Sequence, residues 1–179
     1  MKIKNIKNAR TVAMVGLMAA TVECAKLVLA AIPNIEVVTL LLAVYGYVFG
    51  WLGVASAVLF VCIEPLVWGI GPWVITYAIY WPSVAAVFML LRRINVKNRW
   101  ALSGVAVLMT FTFGILSSVV EGVFLFGLTK RFFANIILYY SRGIPFYITQ
   151  IACNAVTFTT LFSLVRKKLA ELKISTFFD

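Results

Sequence analysis

The sequence contains no histidine, only six acidic residues and few charges of any kind. Charged residues make up 12% of the 179 residues, whereas a soluble domain carries about a quarter. Hydrophobic residues reach 63%, and the mean hydropathy is +1.02. The absence of histidine excludes imidazole-based acid–base catalysis and imidazole ligation of a metal. The composition therefore predicts an integral membrane protein rather than a soluble domain.

The motifs of common enzyme classes are also missing. The chain has no GxxxxGK[ST] loop for ATP phosphates, no HExxH zinc motif and no GxSxG nucleophile turn. Its three cysteines, Cys24, Cys62 and Cys153, are widely spaced inside apolar segments that we expect to be buried. That spacing favours neither a disulfide framework nor a CxxC-type metal site. We predict no catalytic residue and no metal ligand, and hence a binding protein without its own ATPase.

Six apolar segments are long enough, or nearly so, to cross the roughly 30 Å of bilayer hydrocarbon as helices. The predicted helices cover residues 10–31, 36–51, 53–70, 72–92, 100–127 and 144–166. The breaks between them hold turn-forming residues such as Pro33-Asn34 and Gly71-Pro72. No internal repeat or low-complexity linker divides the chain. We therefore predict one all-α membrane domain over residues 1–179.

Lysine and arginine are unevenly distributed between the two ends of these helices. With the N-terminus inside, the inner segments hold Lys2, Lys4, Lys7, Arg10, Arg92, Arg93, Lys97, Arg99, Arg166, Lys167, Lys168 and Lys173. The outer loops hold only Lys130, Arg131 and Arg142, and Lys26 falls inside a helix. Positive residues concentrate on the cytoplasmic side of membrane proteins. The pattern predicts a multi-pass protein of the cell membrane with both termini cytoplasmic, and it argues against a nucleic-acid partner.

In this orientation, the ionisable residues that lie within the membrane, rather than at the inner ends of the helices, are all in its outer half. They are Glu23, Lys26, Glu36, Glu64 and Glu121. A charged group at a helix centre costs about 2.5–3.5 kcal/mol on insertion scales. Their convergence on one half predicts a polar cavity that opens outwards.

Structural alternatives remain open for these residues. Glu23 and Lys26, three residues apart on one helical face, also suit an internal ion pair. Glu121 shares a face with small and polar residues, and such faces often form packing seams between helices. The members of that face are Thr110, Gly114, Ser117 and Ser118. Glu64 has no cation nearby in the sequence, so we favour a site role for it.

Aromatic residues follow the predicted outer turn at Gly71-Pro72. Trp73, Tyr77 and Trp81 lie on one face of the fourth helix, with Tyr80 beside them. Trp73 suits an anchor at the membrane interface, but the others run deeper and suit an apolar wall of a ligand pocket. On the sixth helix, Tyr147, Gln150, Asn154 and Thr157 also share a face. Buried amides need partners, either on another helix or on a ligand.

The first half of the first helix carries a stripe of small residues, Ala9, Ala13, Gly16 and Ala20. Such stripes allow another helix to approach closely. The partner helix belongs either to this chain or to another protein.

The stretch 127–143 is amphipathic and long for a connection, and it suits either an interfacial helix or a lid over the cavity.

Together these features resemble the substrate-binding S component of energy-coupling factor vitamin importers. The resemblance covers the whole chain and includes the stretches "IPNIEVVTLLLAVYGYVFG", "EPLVWGIGPW" and "YWP". It implies a six-helix subunit that captures a micronutrient outside and then associates with a membrane coupling protein, the T component, and two ATPases. It also implies that the subunit topples in the membrane during transport. Ala9 and Ala13 match the family's Ala-xxx-Ala docking motif, and Gly16 and Ala20 continue the stripe.

The resemblance also implies where the substrate binds, because family sites are built from the outer loops and adjoining helix ends. The corresponding residues here are Asn34, Glu36, Glu64, Trp68, Trp73, Tyr77, Asn135, Tyr139, Arg142 and Gln150. The sequence is most similar to components assigned to cobalamin. Pantothenate, a folate or a queuosine precursor fits the same physical description. A small intramembrane enzyme or an assembly factor is the alternative from a different class.

Overall fold

A computed structural model describes residues 9–178, and the side chains as far as residue 172. Lys2, Lys4, Lys7 and the side chain of Lys173, which were part of the orientation argument, lie outside this range. The described chain is helical throughout and connects its helices by short segments. In order they are α1 (Ala9–Leu29), α2 (Val38–Phe49), α3 (Trp51–Trp68), α4 (Trp73–Arg93), α5 (Arg99–Phe126), α6 (Phe132–Thr160) and α7 (Phe162–Phe178). The prediction of an all-α protein is confirmed.

Helix length and composition identify a membrane-type bundle. Among the described residues, α1, α3, α4 and α5 are each long and apolar enough to cross a membrane. α6 forms a fifth span only together with the described part of α7, and the two are bent by 55°. α2 has 12 residues, or about 18 Å at 1.5 Å per residue, which is too short for the hydrocarbon core. Six complete spans are therefore not confirmed.

The short α2 is the most buried helix of the bundle. Ten of its 12 residues are buried, and two glycines explain how its neighbours approach so closely. A Cβ on Gly46 would lie 2.0 Å from the carbonyl oxygen of Ala85 in α4, and one on Gly53 of α3 would lie 2.3 Å from the backbone of Tyr45. Small residues at such crossings allow helix backbones to touch. α2, α3 and α4 therefore form a tightly packed unit.

The start of α2 lies deep inside the bundle. Val38 and Thr39 are buried, and the amide of Asn154 in α6 contacts both Glu36 just before α2 and Thr110 midway along α5. The connection over residues 30–37 is mostly exposed, and only its end at Glu36 and Val37 reaches into the bundle. Non-helical backbone is tolerated at membrane depth where it is buried or lines a cavity. We call the end of the bundle that contains this connection and residues 69–72 the cavity end.

The last predicted helix, 144–166, differs from the structure at both ends. α6 begins at Phe132 and runs without a break through Gly143 and Pro145, so most of the stretch 127–143 is helix rather than a separate connection. Proline is tolerated in membrane helices because neighbouring groups satisfy the freed backbone, and α6 packs along most of α5. At the other end the helix stops at Thr160 and the chain bends into α7.

Candidate functional site

A cavity of about 400 Å³ opens at the cavity end of the bundle. Its wall is built from α1, the 30–37 connection, α3, α4 and α6. Seven of the ten predicted substrate residues line it: Asn34, Glu36, Glu64, Trp68, Trp73, Tyr77 and Gln150. Sites for small organic ligands measure about 300–1,000 Å³, so this volume suits a compact molecule or one arm of a larger molecule.

A smaller recess of about 80 Å³ continues from the cavity towards the centre of the bundle. Lys26, Glu36, Tyr77 and Gln150 line both spaces. The deeper walls come from α2, α4 and α5, and half of their residues are aromatic: Val38, Thr39, Tyr80, Trp81, Thr110 and Phe113. The recess gives the site an apolar inner end beneath a polar entrance.

Glu36 at the boundary of the two spaces is held by three hydrogen bonds. The backbone N–H and the hydroxyl of Thr39 donate to its carboxylate at 2.9 and 2.6 Å, and Asn154 Nδ2 donates at 2.8 Å. The contact from the Thr39 N–H caps the start of α2 and places a negative charge at the positive end of the helix dipole. Asn154 Nδ2 also donates to Thr110 Oγ1 at 3.0 Å. Glu36 therefore joins α2, α5 and α6 at the wall of the cavity.

Glu64 on α3 is in a different environment. Its side chain is 0% exposed, and Lys26 of α1 donates a hydrogen bond to Oε2. The other oxygen, Oε1, has no hydrogen-bond partner. The Lys26 ammonium also lies 5.0 Å from the ring centre of Trp68 and 5.3 Å from that of Tyr77. A cation this close to aromatic faces is attracted by their negative π-surfaces.

Glu23 lies next to this ion pair and is not part of it. Its side chain is buried, and neither carboxylate oxygen has a hydrogen-bond partner. The carboxyl is close enough to that of Glu64 for the two groups to interact. The expected internal pair between Glu23 and Lys26 is therefore replaced by a pair between Lys26 and Glu64. The cluster therefore holds two carboxyl groups and one ammonium, which contacts only Glu64.

The aromatic stripe of α4 forms a continuous wall. Trp73 and Tyr77 meet edge to face with ring centres 5.0 Å apart, and Tyr77 and Trp81 meet similarly at 5.4 Å. Phe113 of α5 stacks on Trp81 at 6.1 Å. Trp81 is 6% exposed, and its indole Nε1 lacks a partner. Anchoring of α4 at the membrane interface therefore does not account for the whole aromatic stripe, because the inner half of the stripe belongs to the core.

Three predicted site residues do not line the cavity, namely Asn135, Tyr139 and Arg142 on α6. Tyr139 donates instead to Glu121, which also accepts a hydrogen bond from Ser117 at 3.1 Å. Arg142 is exposed and Asn135 is half-buried. These residues lie on the helical stretch 132–143, packed along α5. Their role in binding substrate, which the resemblance implies, stays a prediction. Glu121 belongs to the seam between α5 and α6, the structural alternative for that residue.

The other predicted polar and small residues are placed as follows. Tyr147 packs against Gly114 and contacts the hydroxyl of Ser118 at 3.2 Å, so it belongs to the same seam.

Ala9, Ala13 and Ala20 are exposed, and Gly16 has open space where a Cβ would be. That stripe does not pack against a helix of the described chain. Cys24 and Cys62 are exposed at the helix surface, contrary to the expectation that they are buried.

Lys26 is not among the residues that the sequence predicts to bind substrate. Its position on a helix three residues from Glu23 favoured a local ion pair, and nothing in the sequence shows that Glu64 lies opposite. One signal was available: a lysine and two glutamates, placed at similar depth on two predicted helices, are compatible with a cross-helix cluster.

No family model, no curated protein and no solved structure matches this chain. The fold and the site define its class. It is a membrane-type helical bundle with an aromatic and acidic cavity at one end.

Proposed function

We propose that the chain is the substrate-binding subunit of a micronutrient importer of the energy-coupling factor class. The observation that carries the proposal is the cavity, to which five separate parts of the chain contribute polar or aromatic side chains. A cavity open at one end of the bundle suits capture of a ligand from one side of the membrane. The proposal places that end outside and both termini in the cytoplasm.

The exposed stripe on α1 supports a partner protein. Ala9, Ala13 and Ala20 have no helix of the described chain against them, and in lipid small residues are favoured where helices meet. We propose that a membrane coupling protein docks on this face and that two ATPases supply the energy. The stripe and the cavity lie at opposite ends of α1, so a docked partner leaves the cavity free.

The volume of the cavity distinguishes the candidate ligands by how much of each it can enclose. Cobalamin is our first candidate from the sequence, but it is much larger than about 400 Å³, so only part of it would be enclosed. Pantothenate and a queuosine precursor are compact enough to be buried completely. A folate is elongated and would extend into the entrance. The wall itself favours flat rings, which stack on tryptophan and tyrosine.

The test is equilibrium binding to the purified chain in detergent, first with cobalamin and then with the three other candidates. The variant Trp73→Ala removes an aromatic wall residue, and Trp51→Ala is the matched control because Trp51 is exposed at the start of α3, away from the cavity. We expect one candidate to bind and Trp73→Ala to weaken it at least tenfold, with Trp51→Ala close to wild type. Equal weakening by both variants would contradict the proposed site.

One observation favours an intramembrane enzyme as a second candidate. Glu23 and Glu64 come from different helices and meet beside the cavity, and paired carboxyls can serve as acid and base. If the chain is an importer subunit, the bound molecule should be recovered unchanged. Chemical conversion of the ligand by the purified chain, lost in Glu64→Gln, would favour the enzyme.

A further inference from the structure

The cluster at the inner wall of the cavity holds two buried carboxyl groups and one ammonium group. Among the described residues, Lys26 is the only cation that pairs with either Glu64 or Glu23. Both glutamates are buried, and three of their four carboxyl oxygens lack hydrogen-bond partners. Buried charges are tolerated when they are paired and hydrogen-bonded. The other lining elements supply no second cation, since Glu36 is acidic and α4 and α6 contribute no charged side chain to the lining.

The surroundings of the Lys26 ammonium have the chemistry of a binding site for an organic cation. One carboxylate oxygen accepts its hydrogen bond, and the faces of Trp68 and Tyr77 lie against it. Aromatic faces together with a carboxylate are how proteins recognise ammonium ligands. Lys26, Glu64, Trp68 and Tyr77 all line the cavity, so a ligand that enters can reach this place.

We propose that Glu64, Trp68 and Tyr77 form a subsite for a protonated amine of the ligand, and that Lys26 occupies it when no ligand is bound. This proposal rests on the proposed function, and it identifies the substrate class as compact molecules with an ammonium group. On binding, the ligand amine takes over the Glu64 oxygen and the aromatic faces. Lys26 then turns to Glu23, which lies three residues away on the same face of α1 and has both oxygens free of hydrogen bonds. Two carboxylates then face two cations.

The test uses a probe that does not depend on knowing the ligand. Lys26→Ala removes the internal cation, and n-butylammonium supplies a replacement of the same length as the lysine side chain. n-Butanol at the same concentration is the neutral control. Thermal melting in detergent is measured for the wild type, for Lys26→Ala, for Lys26→Ala with Glu64→Gln, and for Lys97→Ala, whose exposed lysine lies outside the cavity.

We expect Lys26→Ala to melt several degrees lower than the wild type, and butylammonium to restore at least half of that loss while butanol restores none. The rescue should disappear in the double variant. Butylammonium should raise the melting temperature of the wild type and of Lys97→Ala by a smaller amount, because it must first displace Lys26, and butanol should raise neither. If Lys26→Ala cannot be purified alone, it is solubilised with either additive present throughout, and the monodisperse yield replaces the melting temperature. Equal effects of the two additives, or a rescue that persists with Glu64→Gln, would overturn the subsite.

These outcomes are independent of the proposed function. Failure of every candidate micronutrient to bind the wild type would count against import, while rescue by butylammonium would still establish the cation subsite. Conversely, a neutral micronutrient that binds the wild type tightly in this cavity, without rescue by butylammonium in Lys26→Ala, would support import and overturn the amine-bearing substrate class.

Discussion

Glu36 and Glu64 line the same cavity, but their carboxylates are satisfied in different ways. Glu36 accepts hydrogen bonds from the backbone and hydroxyl of Thr39 and from the amide of Asn154. Glu64 accepts from a single flexible side chain, that of Lys26, and leaves one oxygen without a partner. The first carboxylate is fixed by groups that cannot move away without disturbing α2. The second is held by a group that can leave.

The difference shows which polar groups of a cavity are structural and which are available to a ligand. A carboxylate that caps a helix contributes to the fold whether or not the site is filled. A buried carboxylate with one mobile partner and an orphaned oxygen keeps capacity for another hydrogen bond. Both residues were predicted to bind substrate, and the geometry supports that role more strongly for Glu64.

The largest expected effect comes from removing the mobile partner. Lys26→Ala leaves Glu64 buried without a cation, and breaking a buried ion pair in this way costs about 3–5 kcal/mol in soluble proteins. Adding Glu64→Gln removes the stranded charge, so the double variant should be more stable than Lys26→Ala alone. Melting temperatures in detergent compare the three proteins. A double variant less stable than the single one would show that Glu64 does not depend on Lys26.

The fixed carboxylate should respond differently to the corresponding change. Glu36→Ala removes the cap of α2 and leaves the amide of Asn154 with Thr110 as its remaining acceptor, a loss of about 2–3 kcal/mol. Glu36→Gln retains one acceptor oxygen and should lose about half as much.

No added amine should rescue either Glu36 variant, because what is lost is an acceptor rather than a cation. Melting with and without butylammonium checks this contrast. Rescue of Glu36→Ala by the amine would remove the distinction between the two carboxylates.

Much of the fold was accessible from the sequence because apolar length and turn residues are local signals. The first five predicted helices agree with the structure to within two residues or so at each end. Helix 6 was wrong at its start because Gly143 and Pro145 indicate a break, and the packing of α6 along α5 overrides them. The depth of α2 was also inaccessible, since Glu36 and Asn154, which fix it, are 118 residues apart.

Part of the site could also be predicted, because some of its residues give local signals in the sequence. Trp73, Tyr77 and Glu64 stand out as polar or aromatic residues in apolar helices, and all three line the cavity. Which partner each carboxylate takes depends on how the helices rotate against one another, and periodicity does not specify that rotation. The sequence therefore suggested an ion pair between Lys26 and Glu23, whereas in the structure Lys26 pairs with Glu64.

A smaller effect is expected from the aromatic part of the Lys26 site. Trp68→Leu removes a cation–π contact at a half-exposed position, worth about 0.5–1 kcal/mol. In the Lys26→Ala background this change should weaken the apparent affinity for butylammonium about two- to fivefold. Titrating the melting temperature against amine concentration measures this, with Trp51→Leu as the control. Equal titrations in the two variants would remove Trp68 from the cation site and leave Tyr77 and Glu64.

The smallest effect should come from Glu121, the carboxylate outside the cavity. It accepts from Ser117 and Tyr139 in a half-buried seam, and glutamine retains an oxygen that can accept one of these bonds. Glu121→Gln should therefore cost less than about 1 kcal/mol and leave binding of any cavity ligand unchanged. Binding and melting measured side by side with Glu64→Gln check both parts. A loss of ligand affinity in Glu121→Gln equal to that in Glu64→Gln would extend the site along α6 and restore Tyr139 to it.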